Sequence, residues 1–183
     1  MAQVLRYGIR HNFGVISFLI VSTAEFCENI AEGLLKSASN KRYRIFVHKC
    51  ESLDGVLAVY KNLHVDFIVF AIDTRLNQCL AEVEKNIFLI DQTFVLYGHT
   101  CLVNGNSISL NAMGVTGDNI LKTCNKYNIR LLNANVFVPE DCLYLGDRII
   151  NLATSVLGHK GGIPMLNTPR QYLRMPNTDE TIE

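Results

Sequence analysis

The sequence predicts a single α/β domain, a mostly parallel sheet with helices on both faces. Two apolar runs carry that expectation. VISFLIV at 15–21 and DFIVFAI at 66–72 are short, rich in Val, Ile and Phe, and each leads into an amphipathic stretch. Strands that alternate with helices build parallel sheets, because a parallel neighbour is reached only through a crossover. Composition agrees: 183 residues, 49% hydrophobic and 19% charged, suit one globular core.

Taken in order, residues 1–14 read as a loosely held arm, 15–158 as the domain, and 159–183 as an apolar segment with an acidic end. The helix after the first strand places Phe26, Ile30, Leu34 and Leu35 on one stripe and breaks at SASNK, 37–41. RYRIFVHK sets Tyr43, Ile45 and Val47 against Arg44, Phe46 and His48, which is the alternation of a half-exposed edge strand. Ser52 is placed to cap a short helix through Leu63, with Gly55 weakening its first turn. Leu76, Leu80, Val83 and Ile87 recur at helical spacing. FVLYGHTCLV, 94–103, reads as the next strand, interrupted at Gly98 by a bulge or close approach. Thr116 to Tyr127 reads as a helix and IRLLN, 129–133, as a short last strand. Pro139 suits the first position of a final helix, and Gly158 suits its end.

Beyond Gly158 the pattern changes. Glycines and prolines at 158, 161, 162, 164, 169 and 176 prevent a long helix, yet Ile163, Met165, Leu166, Tyr172, Leu173 and Met175 are too apolar for a free linker. Such a segment either packs back on the domain or is held by a partner. The final PNTDETIE is acidic and reads as disordered.

Charge and cysteine usage narrow the function classes. Lys plus Arg equals Asp plus Glu at 17 each, so no bulk charge favours nucleic acid or an acidic membrane surface. No apolar run approaches transmembrane length, and the first residues lack the apolar core of a signal peptide. Six cysteines stand singly at 27, 50, 79, 101, 124 and 142, which fits reduced thiols in a cytosolic or nuclear protein. No Cys/His pair has metal-ligand spacing.

The turn after the first strand is where nucleotide-binding α/β proteins hold phosphate. Such a loop needs glycines, a lysine and a hydroxyl. No glycine occurs between Val15 and Gly33; reading the motif from Ser22, Glu28 takes the lysine's place and Asn29 the hydroxyl's. Ser22 to Glu25 has the S-x-x-E form of a capping box. Glu25 and Glu28 set two carboxylates at the positive end of the helix dipole, where they repel a triphosphate by roughly 1 kcal/mol or more each. The loop Ser22, Glu25, Glu28, Asn29 therefore reads as an anion site that has been closed. An ordinary helix start with no nucleotide-binding history fits this stretch equally well.

Other nucleotide motifs fail too. The guanine-reading N-K-x-D position carries Asn106-Ser107-Ile108-Ser109, and the magnesium-organising D-x-x-G position carries His48-Lys49-Cys50-Glu51. The connection at 36–41 is too short for a switch segment and an additional strand. With SFLIVSTAEFCENIAEGLLK, VDFIVFAID, IDQTFVLYGHTCLV and VLGHKGGIPMLN in this order and spacing, the chain resembles the centromere protein M family over roughly 15–170.

That resemblance implies a small-GTPase-like fold of the P-loop type, with neither nucleotide binding nor hydrolysis and no cofactor. It implies an interaction or scaffold subunit of the inner kinetochore, in the nucleus, contacting centromere protein I within a complex with centromere proteins H and K. No nucleic acid, membrane or small-molecule substrate is implied. Partner-binding leucines of the family fall on Leu96 and Leu166, with Ile163 and Met165 beside the latter. From the residues alone, Leu96 reads as ordinary strand core. The chain departs from the family at Pro164 and Pro169, where the family is more continuously helical, and over 51–65, which matches poorly.

Enzymatic alternatives are an active small GTPase or a receiver-like signalling domain using Asp73. A receiver needs acids after the first strand and a lysine after a late one; Ser22-Thr23 and Asn133-Ala134-Asn135 stand there. Asp73 therefore reads as a helix cap or turn residue. Cys50 with His48 and Glu51 offers nucleophile, base and acid, but sequence neighbours on a strand point to opposite faces. His159-Lys160-Gly161-Gly162 reads as a solvated helix end rather than an anion-binding turn.

Overall fold

The computed structural model describes residues 14–39, 41, 44–59, 65–76, 78–106 and 115–158. Five strands, β1 (Val15–Val21), β2 (Arg44–Cys50), β3 (Phe67–Ile72), β4 (Thr100–Asn104) and β5 (Arg130–Asn133), form one sheet in the order β2-β1-β3-β4-β5. Every pairing is parallel. The intervening helices are α1 (Ala24–Ser39), α2 (Leu53–Val59), α3 (Cys79–Leu89), α4 (Gln92–Leu96), α5 (Val115–Tyr127) and α6 (Pro139–Val156). This is the α/β class the apolar runs predict, built as a wholly parallel sheet.

Period-two alternation divides the central strands between two cores. Ile16, Phe18 and Ile20 of β1, with Phe67, Val69 and Ala71 of β3, pack under α1 and α6. Leu19 and Val21, with Ile68, Phe70 and Ile72, pack under α2 to α5. Both faces of β3 are buried, which explains its unbroken apolar run. β2 lies at the sheet edge, with Ile45 and Val47 against the α1/α6 core and Arg44, Phe46 and His48 exposed.

Helices α1 and α6 meet at their backbones. A Cβ on Gly33 would lie 2.8 Å from the carbonyl carbon of Cys142, and one on Gly146 would lie 2.5 Å from the oxygen of Gly33. Only glycine allows so close a crossing. At the far end of α6, Pro139 stands in the first turn, and Gly158 leaves the helix at φ +75°.

Four expectations need correction. The stretch 94–103 is not one strand. Asp91 caps α4 by accepting from the Thr93 amide at 2.9 Å, and Gly98 at φ +72° ends that turn of helix before β4 begins. A run of Phe, Val, Leu and Tyr carries no period that separates helix from strand, so the cap and the left-handed glycine decide. Leu96 consequently sits on a helix and is 73% exposed. Leu35 and Leu76 lie outside the apolar stripes assigned to them, being 53% and 50% exposed, and Leu76 precedes α3 rather than opening it. Finally, α1 continues through Ser39 instead of breaking at 37. Tyr43, the end of the second helix beyond Val59, and the arm before Gly14 fall outside the described residues.

Candidate functional site: the carboxyl edge of the sheet

In a doubly wound sheet, ligands bind beyond the carboxyl ends of the strands where the order reverses. Here that point lies between β1 and β3. A cavity of about 250 Å³ occurs there, lined among others by Ser22, Thr23, Glu51, Asp73, Glu82 and Asn86, with apolar walls from Leu76, Cys79 and Val83. Among the described residues, no lysine or arginine lines it.

Three of its polar side chains, Ser22, Asp73 and Asn86, are committed to the protein. The Ser22 hydroxyl donates to the Ala71 carbonyl at 2.9 Å, and the Ser22 amide donates to the Cys50 carbonyl. Ser22 therefore ties β1 to β3 and is not half of the expected capping box. Asn86 accepts from the Leu53 amide and donates to the Glu82 carbonyl, both within 2.9 Å. Asp73, buried at the end of β3, accepts from the Arg75 amide at 3.0 Å, from the Arg75 guanidinium at 2.6 Å and from Asn106 at 3.1 Å. The Arg75 guanidinium holds the Asp73 carboxyl well below the usual carboxylate range, at about 2. Asp73 is thus a turn residue of the side-chain-to-backbone kind, with both oxygens occupied.

Charges at the start of the first helix are partly offset. Glu28 accepts from Lys49 of β2 at 2.5 Å, and Glu25 stands within electrostatic reach of Arg75. Of the two carboxylates expected to repel a triphosphate, Glu28 is ion-paired, while Glu25 only feels the field of an arginine bonded to Asp73. Asn29 faces away from the strand ends, into a crevice of about 60 Å³ against α6.

On the α1/α6 side the edge is filled by aromatic rings. Phe26, fully buried in the first turn of α1, meets Phe137 edge to face at 5.5 Å. Gly105, just beyond β4, lies directly under the Phe26 ring, which a Cβ there would strike. The Arg75 guanidinium covers the Phe137 ring at 5.2 Å, so one arginine closes the edge from Asp73 to the β5–α6 connection. Sequence reading misses Phe26, Gly105, Phe137 and Arg75 as a unit, because the four come from distant segments. The one local signal is Gly105 straight after a buried strand.

The cysteine reading changes in one detail. His48 and Cys50 are two apart and share a strand face, contrary to the expected divergence, yet no hydrogen bond joins them. Burial pushes the Cys50 thiol up to about 12, so it remains protonated and unreactive at neutral pH. All six cysteines are free thiols, and four are buried. Among the described residues, no group of three His, Cys, Asp or Glu side chains is placed to hold a metal ion. No described helix is long and apolar enough to cross a membrane.

The family model of centromere protein M matches residues 11–172. This chain belongs to the centromere protein M family. Membership makes it a centromere-associated protein. No curated protein matches it. Among solved structures it is similar to a diflavin flavoprotein A3 from Nostoc sp., at 8% identity over 80% of this chain and 95% of that one, TM-score 0.43. It is also similar to the flavodiiron protein from Giardia intestinalis, at 13% identity over 79% of this chain, TM-score 0.44. It spans 36% of the length of the latter. The family's implied contact residue Leu96 stands on the outer surface of α4, beside Tyr97, which is 51% exposed. Ile163, Met165 and Leu166, like His159 and Lys160, lie outside the described residues.

Proposed function

We propose that this protein is a non-catalytic pseudo-GTPase, an interaction and scaffold subunit of the inner kinetochore in the nucleus. It binds centromere protein I directly, within a complex with centromere proteins H and K, and serves kinetochore assembly and chromosome segregation. Leu96, Ile163, Met165 and Leu166 form the partner contact. No nucleotide, metal or other cofactor takes part.

The exposure of Leu96 carries this reading. A leucine 73% exposed on a capped helix, with Tyr97 next to it, has no role in the core. Exposed apolar side chains of this kind become anchors when a partner desolvates them. The carboxyl edge supports the non-catalytic half, because Ser22, Asp73 and Asn86 already bond within the protein and Arg75 and Lys49 are held by Asp73 and Glu28. Fully burying a leucine contributes about 1.5–3 kcal/mol. Leu96→Glu loses that and also buries a carboxylate, so capture of centromere protein I by the folded variant falls at least about tenfold. Undiminished capture refutes the contact. A magnesium-dependent rise in melting temperature with GTP refutes the pseudo-GTPase half.

A further inference from the structure

The strands of a parallel sheet all begin at one edge, so the helices that lead into them end there. On the face covered by α2 to α5, the last turn of α3, the short α4 and the end of α5 all stand at this amino edge. Three apolar side chains there have no place in the core. Phe88 of α3 is 67% exposed, and Leu96 and Tyr97 close α4 in the open. Phe88 is held in position: it meets Tyr127 of α5 edge to face, with ring centroids 6.2 Å apart. Lys126 covers the Tyr127 ring at 4.7 Å and pairs with Glu84 of α3 at 3.1 Å, so α3 and α5 are joined around it. A ring fixed in this way loses little side-chain freedom when a partner covers it.

We infer that Phe88, seated on Tyr127, is a second anchor for the partner that takes Leu96, and that this partner receives both in a groove between its helices. Resting on the reading of Leu96 as a partner contact, the second anchor extends the same site. Area calls for an extension. Each side of a stable complex covers roughly 800 Å², and a large side chain brings at most about 150–250 Å². The chain from Phe88 to Gln92 reaches about 14 Å at most and α4 adds about 6 Å to Leu96, so one footprint holds both. The nearby charges, Glu84 with Lys126 and Lys85 with Asp54, pair within the subunit, which favours an apolar partner surface over a charged one. Phe88, Leu96 and Tyr97 project from the surface and line neither the carboxyl-edge cavity nor the crevices along α6. They are therefore knobs, and grooves between packed helices accept knobs. Strand addition does not suit this face, because α3, α4 and α5 stand between it and the sheet.

Capture of centromere protein I by the full chain tests this, in variants whose circular dichroism matches the parent. Phe88→Ala is expected to weaken capture at least about tenfold, and Phe88→Tyr, which keeps a ring, to retain most of it. Tyr144→Ala removes a ring 66% exposed from the half of α6 nearer the carboxyl edge, and is expected to leave capture unchanged. In the unaltered complex, the amides of the last turn of α3 and of α4 should gain protection from hydrogen exchange. If Leu96→Glu weakens capture and Phe88→Ala does not, the second anchor is refuted while the Leu96 contact stands. If neither weakens it, both fall. Equal losses from Phe88→Ala and Tyr144→Ala overturn the assignment to this edge. Unchanged exchange at α3 in the complex overturns the anchor whatever the variants do.

Discussion

The closest packing in the molecule makes the sharpest prediction. Gly33 and Gly146 each lie inside a helix, where replacing glycine by alanine ordinarily adds about 1 kcal/mol of stability. Neither site has room. The added methyl at Gly33 would stand 2.8 Å from the Cys142 carbonyl carbon and 3.2 Å from its Cβ, against backbone that no rotamer change can move. Carbon atoms pack best at about 3.5–4.0 Å, so α1 and α6 must part by several tenths of an ångström. That movement loosens contacts among Ile30, Leu34, Leu145 and Ile149, all fully buried between the helices and the sheet. Overpacking of this kind costs about 1–3 kcal/mol before the helical gain is subtracted. Gly33→Ala is therefore expected to lower stability by up to about 2 kcal/mol, or up to roughly 4–8 °C in melting temperature for a domain of this size. Gly146→Ala, 2.5 Å from the Gly33 oxygen, should behave alike. Gly55 supplies the internal control: it lies in α2, and a Cβ there meets nothing within 4 Å, so Gly55→Ala should stabilise by about 0.5–1 kcal/mol. Thermal and urea unfolding of the three variants decide the matter. If Gly33→Ala stabilises as Gly55→Ala does, the helices do not touch as described.

Other outcomes follow from the same structure. His99 is fully buried with Nδ1 at 2.9 Å from the Asp66 carbonyl oxygen, and burial lowers its pKa below the ordinary 6.5. The unfolded chain then takes up the proton first as pH falls, so stability is complete above about pH 6.5 and declines below it; urea midpoints from pH 8 to 5 should show that decline, and His99→Phe should flatten it. For Asp73 the sign is that of a depressed carboxyl: its stabilisation is present above pH 3.8 and is lost as pH falls through about 2. Asp73→Asn should lower the melting temperature at pH 7 and converge with the parent near pH 2. Phe26→Ala removes a fully buried ring and should cost about 3–5 kcal/mol, without conferring a GTP-dependent melting shift. Leu96→Glu should leave the unfolding midpoint within about 0.5 kcal/mol of the parent, because its side chain is solvated already.

What the chain by itself determined is its layered α/β plan. β1 and β3 announce themselves because strands buried on both faces must be apolar at every position, and α6 does so because proline and glycine mark its two ends. Absence was legible as well: the turn after β1 lacks the glycines and lysine a phosphate needs. Tertiary structure alone decided the rest. Leu96 lies in a run whose apolar residues suit helix and strand equally, and the left-handed turn at Gly98 put it on the surface rather than in the core. The partner of Glu28 also lay out of local view, since Lys49 reaches it from the neighbouring strand. The filling of the carboxyl edge by Phe26, Gly105, Phe137 and Arg75 is the clearest case. Residues so far apart in sequence become neighbours only when parallel strands bring their carboxyl ends together, and nothing local encodes which ring will cover which glycine.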